Sequence, residues 1–389
     1  MFVELHIIQN FAPSNLNRDD TGNPKEAEFG GVRRARISSQ AIKRAIRWHE
    51  SFSSGTGVKP SVRTKKLAND LFKRMEVDED LRQDAEILAL EFAKVFSSQK
   101  GKMDENEPEK TSVLIFLADQ ELREIAQQLV LLDFAQAASE VRALDQQKFS
   151  KPEARVNKSP LYSLAKEWVK KTQGRTSAPD IALYGRMLAD DPKTNIDAAS
   201  QVAHALSTHR MNMEIDFFTA VDDLQPAEET GAAMIGVTGF NSACFYRYAR
   251  IDWKQLVKNL DGDGELARRT VAAFFTAALR AIPTGKQNSF AAQNPPSFAL
   301  AVTRTDGASW NLVNAFEKPV RPDREGGYVA PSVSALDAYW ERLGRYYGNT
   351  DVKPHVLNVE EVPLNALKEA ELESTAKWIA SILAALPAQ

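Results

Sequence analysis

The sequence contains a single cysteine, Cys244, among 389 residues. One thiol can form neither an internal disulfide nor a zinc site built from several cysteines, so we expect a reducing compartment and treat Cys244 as a small buried hydrophobe. No window approaches the ~18–20 apolar residues of a membrane helix, and the first residues carry no positively charged leader. We therefore expect a cytoplasmic protein that contacts no membrane.

The usual catalytic and cofactor-binding motifs are also missing. Gly285-Lys286 is followed by Gln287, where a phosphate-binding Walker loop has Ser or Thr, and no GxGxxG, HExxH or GxSxG motif is present. His204 and His209 are five residues apart, which suits neither one helical face nor one strand face, so we expect structural roles for both. We expect no enzymatic activity, no cofactor and no bound metal.

What is present is the composition of an ordinary globular protein, with 43% apolar and 26% charged residues. At ~100–200 residues per domain, the length predicts two or three domains or one domain with a large insertion. The net charge of −3 is unevenly distributed, because Gly30 to His49 contains six basic residues and no acid. A purely basic stretch in a mildly acidic chain indicates a localised anion site.

Hydrophobic periodicity and turn residues predict an α+β protein. Residues 61–172 form a helical block with loop-like borders, which indicates an inserted subdomain, and 189–244 show little regular pattern. Without the insertion, the order of elements is that of a ferredoxin-like fold, which RRM-like RNA-binding domains share. The remaining elements are strands at 2–12, 32–37, 180–188, 245–251 and 298–303, and helices from Ser38 or Ser39 to about Glu50, at 265–282, near 331–347 and at 365–386.

The first of these helices carries the strongest functional signal. Ile42 and Ile46 lie on its apolar stripe, whereas Lys43 and Arg47 stand one above the other on another face. The backbone N–H groups of the Ser-Ser-Gln sequence at its start can also take a phosphate. The pattern favours binding of a phosphate backbone, and a solvated helix face is the alternative.

Two further segments have both a functional and a structural interpretation. Phe217 and Phe218 fall in the irregular region, where they either insert between nucleic-acid bases or tuck back into the core. Asp222-Asp223 beside them bind a metal or, as we favour, cap a turn. Residues 146–175 carry eight basic residues and two acids, which fits a solvated surface or a weak nucleic-acid patch.

Six strings resemble, in order and spacing, the Cas-seven family, the backbone subunits of CRISPR Cascade complexes, and specifically those of type I-E. They are LNRDD at 16–20, FGGVRRARISSQAIKRAIR at 29–47, DIALYGRM at 180–187, IDFFTAVDDLQ at 215–225, FYRYARI at 245–251 and NAFEKPV at 314–320. The resemblance spans Phe2 to Tyr347; the helical insertion and the last forty residues are similar only in type.

The resemblance implies a hand-shaped subunit. It has a ferredoxin-like palm (1–60, 176–188 and 245–389), an inserted helical fingers domain (61–175) and a long thumb loop (189–244). It also implies sites for RNA, for a wedge at the base of the thumb and for target DNA. The residues that would grip the RNA are Arg18, Gln40, Lys43, Arg44, Arg47, Lys286 and Gln287; those of the wedge are Met187, Phe217, Phe218 and Thr219; the candidates for DNA are Lys166, Lys170 and Lys171.

The partners implied are CRISPR RNA, target DNA, other Cascade subunits and further copies of the chain in a head-to-tail filament. Gripping phosphate and sugar would leave the Watson–Crick edges of the guide free. Two alternatives remain. One is a metal-dependent ribonuclease of the type III kind, using Asp216, Asp222 or Asp223, and the other is an RNA-binding protein outside CRISPR.

Overall fold

The computed structural model describes residues 1–98, 100–187, 195–220, 234–305 and 308–387. The chain forms two compact units. The first comprises Met1–Gly55, Ser200–Asp252 and Arg268–Gln389, and the second comprises Thr56–Ala199 and Trp253–Ala267. Within the described residues, no helix combines the length and the apolar character that crossing a bilayer requires.

The first unit is built on an antiparallel sheet to which nine strands of the described chain contribute. Along its main path the strands run in the order β11-β10-β1-β9-β7-β3-β2, and β6 and β8 pair with other parts of the long strand β9. Their bounds are β1 Phe2–Ser14, β2 Glu26–Phe29, β3 Val32–Ile37, β6 Ser200–Val202, β7 Ala205–Ser207, β8 Glu214–Ala220, β9 Met234–Asp252, β10 Phe298–Arg304 and β11 Val352–Asn358.

The centre of this sheet has the ferredoxin-like arrangement that the sequence predicts. Strand β1 lies between β9 and β10 and is antiparallel to both, and β6 and β7 lie on the far side of β9. Helix α1 (Ser39–Trp48) precedes β6, and helix α11 (Gly264–Arg280) connects β9 to β10. The ferredoxin-like palm with a helical insertion is therefore confirmed.

Helices cover both faces of the sheet. On one face Leu5 and Ile7 of β1 meet Ile42 and Ile46 of α1, together with Phe274 of α11. The opposite face, which includes Ile8, packs against a long helix and a 3₁₀ turn. The helix is α13 (Val329–Tyr347) and the turn is Leu312–Phe316. The remaining helical segments of the unit are α2 Glu50–Thr56, α12 Gln287–Phe290, α14 Thr375–Ala384 and the 3₁₀ turn Lys368–Ala370.

The second unit is mainly helical and has a core of its own. Phe92 and Trp168 are among its fully buried side chains, and a two-stranded sheet joins its first and middle parts. Its elements are β4 Val62–Thr64, α3 Leu67–Met75, the 3₁₀ turn Glu79–Leu81, α4 Arg82–Ser97, β5 Ile115–Leu117, α5 Asp119–Val130, α6 Phe134–Asp145, α7 Pro152–Asn157, α8 Tyr162–Lys171, α9 Pro179–Tyr184 and α10 Trp253–Asn259.

The strand predicted at 180–188 is wrong, because residues 179–184 form helix α9. Pro179 lies in its first turn, where a fixed φ near −65° favours a helix. Asp180 accepts hydrogen bonds from the backbone and the hydroxyl of Ser61, so the helix is tied within the second unit. Residues 176–187, which the resemblance assigns to the palm, thus cluster with the second unit.

Two other regions differ from their predictions. The described parts of 189–244 contain strands β6, β7 and β8, and β9 begins at Met234 rather than near residue 245. The predicted helix at 365–386 is shortened to Thr375–Ala384, and strand β11 precedes it. Strands β6 and β7 pair with a part of β9 that is distant in sequence, so periodicity alone does not reveal their pairing.

Arg34 of β3 is completely buried and ties the first unit together. Its guanidinium donates to five backbone carbonyls at 2.8–3.2 Å, and burial lowers its pKa. Gly30 has φ +64°, and a Cβ there would overlap the carbonyl of Glu317. The carbonyls that accept from Arg34 belong to Phe29, Ser207, Thr208, Phe316 and Glu317.

We expect Arg34→Met to destabilise the protein by about 3–5 kcal/mol, because it strands several buried carbonyls that a thioether cannot satisfy. Arg33→Met is the matched control: its side chain is mostly exposed and pairs with Glu26, so we expect a loss below about 1 kcal/mol. Urea unfolding followed by circular dichroism measures both. Equal unfolding midpoints for the two variants would contradict the role assigned to Arg34.

Candidate nucleic-acid interface

Helix α1 presents polar and basic side chains on the faces that Ile42 and Ile46 leave free. Gln40 and Arg44 are exposed, one turn apart, and Lys43 and Arg47 are partly buried. Burial lowers the pKa of Lys43, and the guanidinium of Arg47 lies 5.1 Å from the ring centroid of the exposed Trp48. The first turn of the helix contains no acid that would offset the positive end of the helix dipole.

The backbone N–H groups at the start of α1 already have acceptors. Ser38 N–H donates to Asn17 Oδ1 at 2.8 Å, Ser39 N–H donates to His204 Nδ1 at 2.9 Å, and Ala41 N–H donates to the Ser38 hydroxyl at 3.3 Å. The prediction that the N–H groups of this Ser-Ser-Gln sequence take a phosphate is therefore wrong for Ser38 and Ser39. Side chains, rather than the helix terminus, must supply most of the contacts.

Arg18 lies in an ordered turn beside this helix. The carboxylate of Asp19 accepts from the hydroxyl and N–H of Thr21 and from the N–H of Asn23, which lowers its pKa, the Thr21 hydroxyl having the largest effect. Asn15 donates to the carbonyls of Gly22 and Gly239, so β9 anchors the turn. The exposed Arg18 side chain thus projects from a fixed backbone.

The loop with Lys286 and Gln287 packs against the same turn. A Cβ on Gly285 would overlap the carbonyls of Asn15 and Leu16, so the two backbones lie in direct contact. Lys286 has a left-handed backbone with φ 50°. Gln287 donates to the carbonyls of Pro283 and Ala292, so its side chain holds the loop closed rather than pointing outward.

These three segments therefore form one surface, which we call the palm surface: the Arg18 turn, helix α1 and the Lys286 loop. A groove of about 560 Å³ runs along it between Leu16, Arg44, Trp48 and Gly285. The structure brings the segments predicted to grip RNA together on the first unit, although the side chain of Gln287 is turned into its own loop. Several cations gathered on one surface suit a polyanion.

Three residues near this surface were not among those predicted to bind RNA: His204, Lys25 and Arg36. Burial and the nearby cations of Arg36, Lys25 and Lys43 all lower the pKa of His204, in that order of effect. The predicted structural role of His209 is confirmed, because its buried ring stacks on Tyr328 at 3.8 Å. His204 also has a structural contact, through Ser39, but it is exposed.

Phe217 and Phe218 lie on an exposed hairpin, not in an irregular loop. Strand β8 pairs with the start of β9, and all seven of its residues are exposed. Phe217 is 72% exposed, opposite Val237, whereas Phe218 is 41% exposed because its ring covers Gly236. Thr219 is exposed as well, on the same face as Phe217.

The remaining candidates belong to the second unit. Met187 is 83% exposed. On helix α8, Lys170 is exposed, Lys166 lies over the Tyr162 ring, and Lys171 pairs with Glu167 and lies over Trp168. Arg155, from the same basic region, is bound by Glu91 and Asp145 and is therefore structural.

The described residues contain no cluster of three or more His, Cys, Asp or Glu side chains that could hold a metal. Asp216 is exposed on β8, opposite Thr238. Asp222 and Asp223 lie outside the described residues. Cys244 is a buried hydrophobe as predicted, and burial raises the pKa of its thiol to about 11.

Two solved structures resemble the chain over nearly its whole length. A chain of a "CRISPR RNA-guided surveillance complex, pre-nicking" matches with 32% identity and a TM-score of 0.81, covering 99% of this chain and 100% of that one. A chain of a "CRISPR RNA-guided surveillance complex" matches with 28% identity and a TM-score of 0.73 over the same shares. No curated protein matches.

A family profile gives the same result from the sequence. The profile described as CT1975-like protein matches residues 3–385, which includes the sheet, the palm surface and the hairpin. With a match of this extent, and with a solved relative 32% identical along its full length, the chain belongs to the CT1975-like protein family.

Proposed function

We propose that the chain is a non-catalytic backbone subunit of a type I-E CRISPR Cascade complex, corresponding to CasC. It would bind CRISPR RNA along the palm surface, polymerise along the spacer in the cytoplasm, and present the guide to invading DNA. The observation that carries this proposal is the union of the Arg18 turn, helix α1 and the Lys286 loop in one basic surface. The likeness to chains of RNA-guided surveillance complexes supports it.

The chemistry of the palm surface suits a guide of any sequence. Lys43, Arg44 and Arg47 offer charge and N–H donors, which phosphate oxygens accept equally well whatever the base. A protein that read base edges would block the pairing that a guide must perform. Holding the backbone on a fixed surface also lowers the ordering cost when a target strand pairs.

The hairpin supplies the feature that a smooth basic groove lacks. Phe217 offers an exposed ring on a regular strand, and base–aromatic stacking needs no particular base. We infer that Phe217, with Thr219 beside it, separates neighbouring bases, while Phe218 stiffens the hairpin by covering Gly236. By the same resemblance, Met187 contributes to the wedge, and Lys166, Lys170 and Lys171 are candidates to bind target DNA.

The first prediction from this proposal concerns the charges of α1. Replacing Lys43 and Arg47 by Ala should weaken binding of single-stranded RNA equally for all sequences. It should also flatten the plot of log affinity against log salt by about 1.4, since each lost phosphate contact removes ~0.7. Fluorescence anisotropy at several salt concentrations measures both effects.

The matched control removes two cations from α13, which packs on the opposite face of the sheet. Arg342→Ala with Arg345→Ala makes the same change in net charge and should leave the slope as it is in the wild type. If both double variants shift the slope equally, the effect reflects overall charge and the palm surface is not the binding site.

The second prediction concerns the wedge. Phe217→Ala should leave the melting temperature unchanged, because the exposed ring contributes little packing. It should weaken guide binding about tenfold and reduce the reactivity of regularly spaced nucleotides to probes of unstacked bases. Tyr346→Ala on α13, which removes a ring of similar exposure, is the control and should leave both readouts unaltered. A lower melting temperature with an unaltered reactivity pattern would show that Phe217 is a packing residue.

The third prediction concerns assembly. A head-to-tail contact joins different surfaces of successive copies and produces an open array, so the number of bound copies should rise in steps with RNA length. Light scattering on complexes with RNAs of increasing length gives the mass of each assembly. A two-fold dimer whose mass ignores RNA length would rule out this mode of assembly.

A further inference from the structure

His204 lies between β6 and β7, at the start of helix α1, and its ring is exposed on the palm surface. Its Nδ1 accepts a hydrogen bond from Ser39 N–H at 2.9 Å. A backbone N–H is always a donor, so Nδ1 must be the unprotonated nitrogen of the ring. In a neutral imidazole the proton then resides on Nε2, and this nitrogen is a donor.

The surroundings keep the ring in this form. Protonating Nδ1 would set two N–H groups against each other and would add a positive charge beside Arg36, Lys25 and Lys43. Partial burial, and then the charges of Arg36, Lys25 and Lys43, lower the pKa of His204, which favours the neutral ring. The contact with Ser39 thus uses one backbone donor of the helix and leaves Nε2–H of an exposed side chain as a donor.

The three cations near His204 belong to different segments, so the site includes more than the N-terminus of helix α1. Lys25 follows the Arg18 turn, Arg36 is on β3 and Lys43 is on the second turn of α1. Backbone contacts fix the first two, since Arg36 N–H donates to the Lys25 carbonyl and Arg36 Nε donates to that of Glu26. A neutral hydrogen-bond donor close to three cations suits a monoanion that can accept several hydrogen bonds.

We propose that Nε2–H of His204 donates to a phosphodiester oxygen of the RNA bound on the palm surface, with Lys25 and Arg36 supplying charge beside it. This inference rests on the proposed function of the palm surface. His204 is then a binding residue whose hydrogen bond depends on orientation and carries no charge, unlike the contacts of Lys43 and Arg47.

Two substitutions separate the two nitrogens of the ring. His204→Asn can keep an acceptor near Nδ1 for Ser39 but removes the outer donor, whereas His204→Gln can place an amide N–H near Nε2. We expect His204→Asn to keep the melting temperature and to weaken RNA binding about five- to tenfold, as the loss of one hydrogen bond implies. His204→Gln should bind within about twofold of the wild type.

The salt dependence identifies the kind of contact that is lost. Because a neutral donor releases no counterion, His204→Asn should lower affinity at every salt concentration with the slope unchanged. Lys25→Ala, which removes a cation from the same cluster, should flatten the slope by about 0.7. The imidazole ¹⁵N shifts of the free wild-type protein should show the Nε2–H tautomer of His204 at pH 7.

The inference fails if His204→Asn binds as tightly as the wild type, flattens the slope, or loses affinity only together with melting temperature. It also fails if the loss disappears on single-stranded DNA of the same sequence, because the acceptor is then the ribose 2′-hydroxyl. In all these cases the Lys43 and Arg47 double variant still reports on the palm surface. Failure of the proposed function shows instead as wild-type protein whose RNA binding has no salt dependence.

Discussion

The first unit depends on a buried cation, the guanidinium of Arg34, which is held mainly by backbone carbonyls. Its charge is stabilised by carbonyl dipoles at the end of β2, at and just after the end of β7, and at and just after the end of the 3₁₀ turn Leu312–Phe316. Such an arrangement specifies geometry strictly, because a planar guanidinium satisfies five acceptors only when all of them are in place. Strand β3 leads directly into α1, so the position of Arg34 also fixes the orientation of the helix that presents Lys43 and Arg47.

The palm surface shows the opposite use of the same residue types. Arg34 and Arg36 are two residues apart on β3. Arg34 is completely buried and stabilises the fold, whereas Arg36 is only partly buried and lies near His204. Backbone N–H groups follow the same division, since Asn17 and His204 occupy those at the start of α1. A ligand is then bound by long side chains on a rigidly held backbone. Because that backbone is already ordered, binding costs less conformational entropy.

Elements with long, regular patterns could be predicted from the sequence. Apolar spacing and capping residues predict strand β1, helix α1 and helix α11. The four-residue spacing of Lys43 and Arg47 predicts the basic face of α1. Shorter elements could not. Strands β6 and β7 have only three residues each and depend on β9 for pairing. Helix α9 is short and almost entirely buried, so its run of apolar residues resembles that of a buried strand. His204 escaped because its role depends on a contact 165 residues away in sequence.

The hairpin of β8 and the start of β9 has a consequence for how the chain behaves before it meets any partner. Ile215, Phe217 and Val237 share one exposed face, and Met234 adds an apolar side chain to the other. Exposed apolar strands promote association between chains, so we expect the free protein to aggregate more readily as its concentration rises. A partner that covers the hairpin during synthesis would then raise the yield of folded protein. The risk of aggregation would be greatest while the chain is unbound.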